Sequence, residues 1–214
     1  MENELKLILG SMVTLSLATS AMIVVPFLQL RHEPPPADLK PYTSQEIRGR
    51  QAYLAHACIA CHSQQPSTTG AGVLDASRGW GRASVAADYF YDDPPLLGSM
   101  RTGPDLFNIG ARQPSQDWHL GHLFQPRAYS PGSNMPAYRF LFEIKTADQV
   151  AEGEKVVLLP PGTVDEGLTV VAKPEALDLV AYLLSLDRTY PVSSTALTAA
   201  PAQPTARSAQ KEPS

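Results

Sequence analysis

Hydrophobic and polar residues are distributed very unevenly along this chain. From Leu7 to Leu28 run 22 residues without a charge and without a polar face. About 20 apolar residues suffice to cross a bilayer as a helix, so residues 1–31 are expected to form a single transmembrane anchor. The Ser and Thr residues in the run can return their hydroxyls to the helix backbone, and Pro26 lies near its end, where a kink costs little. A cleaved signal peptide with Ala18-Thr19-Ser20 as its small-residue site is the competing reading. The apolar run continues past that site, and the preceding segment is acidic at Glu2 and Glu4. Both facts favour an uncleaved anchor. Residues 32–41 hold four prolines and read as an extended spacer that keeps the following domain off the membrane. Residues 189–214 are mostly Ala, Pro, Ser and Thr with no apolar period, which predicts a disordered tail.

The remaining segment, 42–188, is one domain of ordinary size. Thr43-Ser44-Gln45-Glu46 fits a capping box, with Thr43 as N-cap. Ile47 and Leu54 fall on one face, so a helix should run from about 44 to the first cysteine. Pro174 suits a first helical position. Leu177, Val180 and Leu184, widened by Leu179, Leu183 and Leu186, predict a strongly buried helix over 174–187. Val156–Leu159 and Leu168–Val171, separated by Pro160-Pro161-Gly162, read as a small β-hairpin. The class expected is mainly α, with the hairpin as an insertion.

Composition narrows the function. The 214 residues include only two cysteines. That excludes a disulfide-rich scaffold, a four-cysteine zinc site and an all-cysteine iron–sulfur cluster. A net charge of −4 argues against nucleic acid as a partner, since that needs a concentrated basic face.

Both cysteines lie in Cys58-Ile59-Ala60-Cys61-His62. On a turn of helix, two thiols three residues apart can add to the two vinyl groups of one haem, and the next residue points its imidazole at the iron. C-x-x-C-H is therefore read as the site of one covalently bound haem c. A redox dithiol lacks its βαβ setting, and a zinc site lacks two further ligands. With His62 on one side, the iron takes a second ligand or stays open. Met12 and Met22 lie in the apolar run. Met100 is close to Arg101-Thr102-Gly103-Pro104, a stretch suited to another task. Met135, in Pro131-Gly132-Ser133-Asn134-Met135-Pro136, follows His62 by 73 residues and is placed to close over the other haem face. A Met thioether there raises the reduction potential. His119 and His122 are alternative ligands, read instead as polar residues on a helix start capped by Ser115 or Asp117. A ligating His donates its second ring N–H to a carbonyl, and Pro104 is the candidate acceptor. Arg101 and Arg112 are candidates for pairing with the haem propionates. The residues alone thus point to a membrane-anchored, single-haem electron carrier, ligated by His62 and Met135.

Residues from about 48 to 142 resemble the monohaem cytochrome c subunit (subunit II) of cbb3-type cytochrome c oxidases. The resemblance rests on Cys58-x-x-Cys61-His62-Ser63-Gln64 and on Gly98-Ser99-x-Arg101-Thr102-Gly103-Pro104-Asp105-Leu106. It continues in Gly110-x-Arg112, Asp117-Trp118-His119-x-x-His122-Leu123, Pro126-Arg127 and Ser130-Pro131-Gly132-Ser133-x-Met135-Pro136-x-Tyr138. It implies a class I cytochrome c domain whose haem is attached to Cys58 and Cys61, with His62 and Met135 as axial ligands. It further implies a relay of electrons from a dihaem or other cytochrome c donor to a catalytic haem–copper subunit, the relay itself not being catalytic alone. Haem c is attached outside the cytoplasm. The domain is accordingly expected on the periplasmic side of a bacterial inner membrane, held by one pass through the lipid bilayer. Rival readings are the monohaem subunit of a nitric oxide reductase, a free anchored shuttle, and a gas-binding haem module. Met135 speaks against the last.

Overall fold

The computed structural model describes residues 2–31, 33–66, 75–98 and 100–192. Most of the expected C-terminal tail, from residue 193 on, lies outside the described residues.

Helix α1 (Glu2–Thr19) passes through a wider π-type turn at Ser20–Val24 into α2 (Val25–Leu30). Together they form an apolar rod, Asn3–Leu30, of 28 residues, none of it buried against the rest of the protein. At 1.5 Å per residue the rod is about 42 Å long, more than the ~30 Å of a bilayer's hydrocarbon core. The wide turn has a local cause. Pro26 has no N–H for the carbonyl of Met22, and its ring crowds that carbonyl. Ser11 Oγ and Thr14 Oγ1 each donate to a carbonyl one turn back, at 2.9 Å.

Within the proline-rich segment Leu39 is buried. Leu30, Arg31 and Glu33 line a cleft together with Val85, Phe90 and Leu97 of the following domain.

Helix α3 (Ser44–Ala55) opens with the expected capping box. Thr43 Oγ1 accepts from Glu46 N at 3.3 Å, and Glu46 Oε2 accepts from Thr43 N at 2.6 Å. Short helices follow: α4 (Ile109–Arg112), α5 (Gln116–Phe124) and α6 (Pro126–Tyr129). The last, α7 (Pro174–Ser185), starts on its proline as expected. Its buried face is Ala176, Leu179, Val180 and Leu183, while Leu177 and Leu184 are only half-buried.

Helices α3 and α7 cross and form the centre of the core. The face of α3 turned to α7 is Gly49, Ala52 and Tyr53, whereas Ile47 and Leu54 are exposed. Close approach explains this difference from the expected face. A Cβ on Gly49 would collide with the carbonyl of Asp178 and lie 2.8 Å from Cβ of Tyr182, so the crossing selects the smallest residue, not the most apolar one. Arg48 closes the contact from outside, giving Asp178 two hydrogen bonds at 2.7 and 3.0 Å.

The sheet differs from the expected hairpin. Strand β1 (Phe142–Thr146) pairs antiparallel with β2 (Leu168–Ala172), Phe142 opposite Ala172. Residues 155–157 flank the other edge of β2 through a single bridge, Val156 to Val171. The apolar Val156–Leu159 run thus marks an edge contact, and the full partner strand is the less apolar Phe-Glu-Ile-Lys-Thr.

Candidate functional site

Helix α3 delivers the cysteine segment. After Ala55 the chain turns through Ala57, which has φ of 54° in the left-handed region, and winds Cys58–Ala60 into one tight turn. The carbonyl of Cys58 accepts from both Cys61 N (3.1 Å) and His62 N (2.9 Å). Both cysteines and the histidine thus fall on this one turn and the residues that close it. Cys58 is half-buried and Cys61 exposed. Burial pushes the Cys58 thiol up to about 11.

A second segment, 101–107, runs beside the first. Gly103 N donates to Cys61 O at 2.9 Å and Leu106 N to Ser63 O at 2.8 Å. Between these two bonds, His62 Nδ1 lies 2.7 Å from the carbonyl oxygen of Pro104. A carbonyl only accepts, so Nδ1 carries the proton. Burial, with the nearby Arg112 charge adding to it, holds His62 below the usual imidazole range against the pull of the Pro104 carbonyl. The ring is therefore the neutral Nδ1–H tautomer, with its lone pair on Nε2. The ring packs so closely on Gly103 that a Cβ there would collide with it.

Met135 is half-buried and packs on the same core as Cys58, Ile59 and Leu106. Its loop is held at both ends. Arg127 Nε donates to Ser133 O at 3.2 Å, and Tyr138 N donates to Leu123 O of α5 at 2.9 Å. Burial, with Cys58 and Cys61 close by, pushes the phenol of Tyr138, three residues beyond Met135, up to about 12. The fold thus brings the Met135 loop to the cysteine turn, across about 75 residues of sequence.

The two candidate arginines are placed differently. Arg101 is spent on protein: Nε donates to Ser63 Oγ (3.1 Å), Nη1 to Asp75 (2.9 Å) and Nη2 to Gln65 O (2.8 Å), with Trp80 under its guanidinium. Arg112 gives Nη2 to Asp105 O at 3.1 Å, but its Nη1 is buried with no hydrogen-bond partner.

The histidines of α5 are not surface groups. Ser115 Oγ does cap the helix, accepting from Trp118 N at 3.2 Å. His119 is buried, with Nε2 bonded to Gln113 O at 2.8 Å. His122 stacks on Trp118, centroids 4.5 Å apart at 9°. Its Nδ1 is buried without a partner. Burial, aided by His119 and His62, pulls His122 down to about 4.

Two residues that matter here were not singled out from sequence. Asp105 is fully buried beside Pro104, and Tyr53 donates from α3 to His62 O at 3.1 Å. Asp105 follows a turn proline, where a surface role is the default expectation. Tyr53 lies next to Leu54, on which the expected helix face was placed.

The donor set suits a c-type haem. Two cysteines and a histidine lie on one turn, the imidazole has a free Nε2 lone pair, and a buried guanidinium N–H is left for an anionic group. Comparison with known families agrees. The family model described as cytochrome C oxidase, mono-heme subunit/FixO matches residues 1–160. No curated protein matches the chain.

Proposed function

The chain belongs to the mono-heme subunit family of cytochrome c oxidase, and on that footing we propose that it relays single electrons to the catalytic haem–copper subunit of a cbb3-type oxidase. Family membership implies association with the oxidase complex and one haem c. The proposal adds the direction of transfer, a dihaem or other cytochrome c as donor, and the residues that do the work.

Cys58 and Cys61 would hold the haem covalently as thioethers. His62 Nε2 and Met135 Sδ would hold its iron. The observation that carries this reading is the 2.7 Å bond between His62 Nδ1 and Pro104 O, because it commits one ring nitrogen and leaves the other for a metal. When bound, the haem iron supplies a one-electron ferric–ferrous couple. The protein supplies ligand orientation, exclusion of water and charge. Gly103 lets the backbone reach the His62 ring, and Tyr53 holds the His62 carbonyl. Arg112 Nη1 fits a propionate better than Arg101, whose donors are directed at Ser63, Asp75 and Gln65. Haem attachment places residues after Arg31 on the periplasmic side of a bacterial inner membrane, with Asn3–Leu30 as the single pass.

Purification of the full chain from its native membranes tests the reading. The expected result is a covalent haem by peptide mass, and co-isolation with a haem–copper subunit. Isolation with covalent haem but without such a subunit would replace the oxidase assignment with a free anchored shuttle.

A further inference from the structure

We propose that Asp105 is the positioning residue for His62: its carboxylate ties the chain segment bearing His62 to the segment bearing Pro104. Resting on the proposed role of His62 as a haem ligand, the inference adds what sets the strength of the ligand's second hydrogen bond. The two segments lie about 40 residues apart in sequence and meet through backbone bonds at Gly103–Cys61 and Leu106–Ser63. Pro104 has no N–H, so the pairing is interrupted beside the ring.

Asp105 fills that interruption. It is fully buried. Its Oδ2 accepts from Ser63 Oγ at 2.5 Å and from Gln65 N at 2.8 Å, while Oδ1 accepts from Phe107 N at 2.8 Å. Arg101 stands 3.7 Å from Oδ2 and also donates to Ser63 Oγ, at 3.1 Å. One side chain thus holds Ser63 and Gln65 on the His62 side and Phe107 on the Pro104 side. Removing it strands buried donors on both segments, and these recover partners only if the segments move apart. The Pro104 carbonyl then moves off Nδ1. A weaker Nδ1–H bond makes the imidazole a poorer electron donor, which favours ferrous iron.

The test uses the full-length haem-loaded protein in detergent, with ring ¹⁵N-labelled histidine. Asp105→Asn removes the charge but keeps the shape and one acceptor, whereas Asp105→Ala removes both. Two quantities are read: solvent exchange of the His62 Nδ1 proton and the midpoint potential. Exchange is expected to quicken about tenfold in Asp105→Ala, as for one weakened hydrogen bond, and less in Asp105→Asn. The potential should rise in the same order. Equal shifts in both variants would mean that only the charge matters and would overturn the positioning role, as would unchanged exchange in both. Should Asp105→Ala not accumulate, Ser63→Ala takes its place. It removes one donor to the carboxylate without altering charge, and unchanged exchange there overturns the inference equally. Failure of the underlying reading is distinguishable, because His62→Ala would then leave the wild-type haem spectrum unaltered.

Discussion

The imidazole of His62 lies against the backbone of Gly103 with no room for a methyl group between them, and the carbonyl of the next residue, Pro104, accepts a hydrogen bond from the ring's Nδ1–H, N···O 2.7 Å. The side chain at 103 is as small as it is because a ring occupies the space.

Gly103→Ala should therefore push His62 out of its position. Overpacking of this kind costs roughly 1–3 kcal/mol, and here the strain falls on the proposed haem ligand. The expected outcome is a protein with a shifted haem absorption spectrum and a reduced yield of covalent haem. A normal spectrum at normal yield would show that the ring tolerates displacement.

Gly49→Ala tests the crossing of α3 and α7. Its Cβ meets the Asp178 carbonyl, which is backbone and cannot swing aside. A loss of at least ~1–3 kcal/mol is expected. For a domain of this size each kcal/mol lowers Tm by about 2–4 °C. The haem spectrum should stay unchanged at low temperature, which separates this substitution from Gly103→Ala in thermal melts followed by circular dichroism.

Met135→Ala bears on the second ligand. The ferric wild type is expected to show the weak far-red band of a sulfur–iron bond, and the substitution should abolish it and lower the potential. Persistence of the band in Met135→Ala would move the sulfur ligand elsewhere. Ready binding of carbon monoxide by the reduced wild type would contradict Met135 ligation altogether.

His122 predicts a pH dependence. Burial keeps its pKa near 4, below the ordinary 6.5. The unfolded chain therefore binds this proton more readily than the folded one, and stability falls as pH drops from about 6.5 towards 4. His119, lowered by burial as well, acts in the same direction. In denaturant titrations, His122→Phe should flatten the slope over that window and leave stability above pH 7 little changed. An equally steep slope in the variant would assign the effect to other groups.

Arg112→Gln should lower the midpoint potential, since it removes a buried positive charge assigned to a haem propionate. Arg101→Gln should mainly destabilise the fold, because its guanidinium serves Ser63, Asp75 and Gln65. A larger drop in potential for Arg101→Gln than for Arg112→Gln would reverse the assignment.

Much of this molecule was legible in the chain because local rules control it. The capping box at Thr43 and Glu46, the proline start of α7 and the uncharged run ending at Leu28 depend on residues within a few positions of one another. The strand Phe142–Thr146 was not legible, since its alternation is weak and its pairing with Leu168–Ala172 is decided about 25 residues away. The exposed positions of Ile47 and Leu54 were not legible either. A helix crossing at backbone distance buries Gly49 in preference to larger apolar residues.

The candidate site divides along the same line. By itself the sequence determined the chemistry: two thiols and an imidazole on one turn, a membrane-length apolar helix, and a methionine on a proline-rich loop. Spacing and residue type are sufficient for such statements. Only the tertiary structure decided which groups meet across long separations. It set the Pro104 carbonyl, a candidate from sequence, at 2.7 Å from His62, spent Arg101 on Asp75 while leaving Arg112 an unpaired N–H, and buried Asp105 between two segments of chain. Those choices follow from where buried donors and acceptors find partners once the core closes, and that depends on the whole packed chain and not on any one stretch of it.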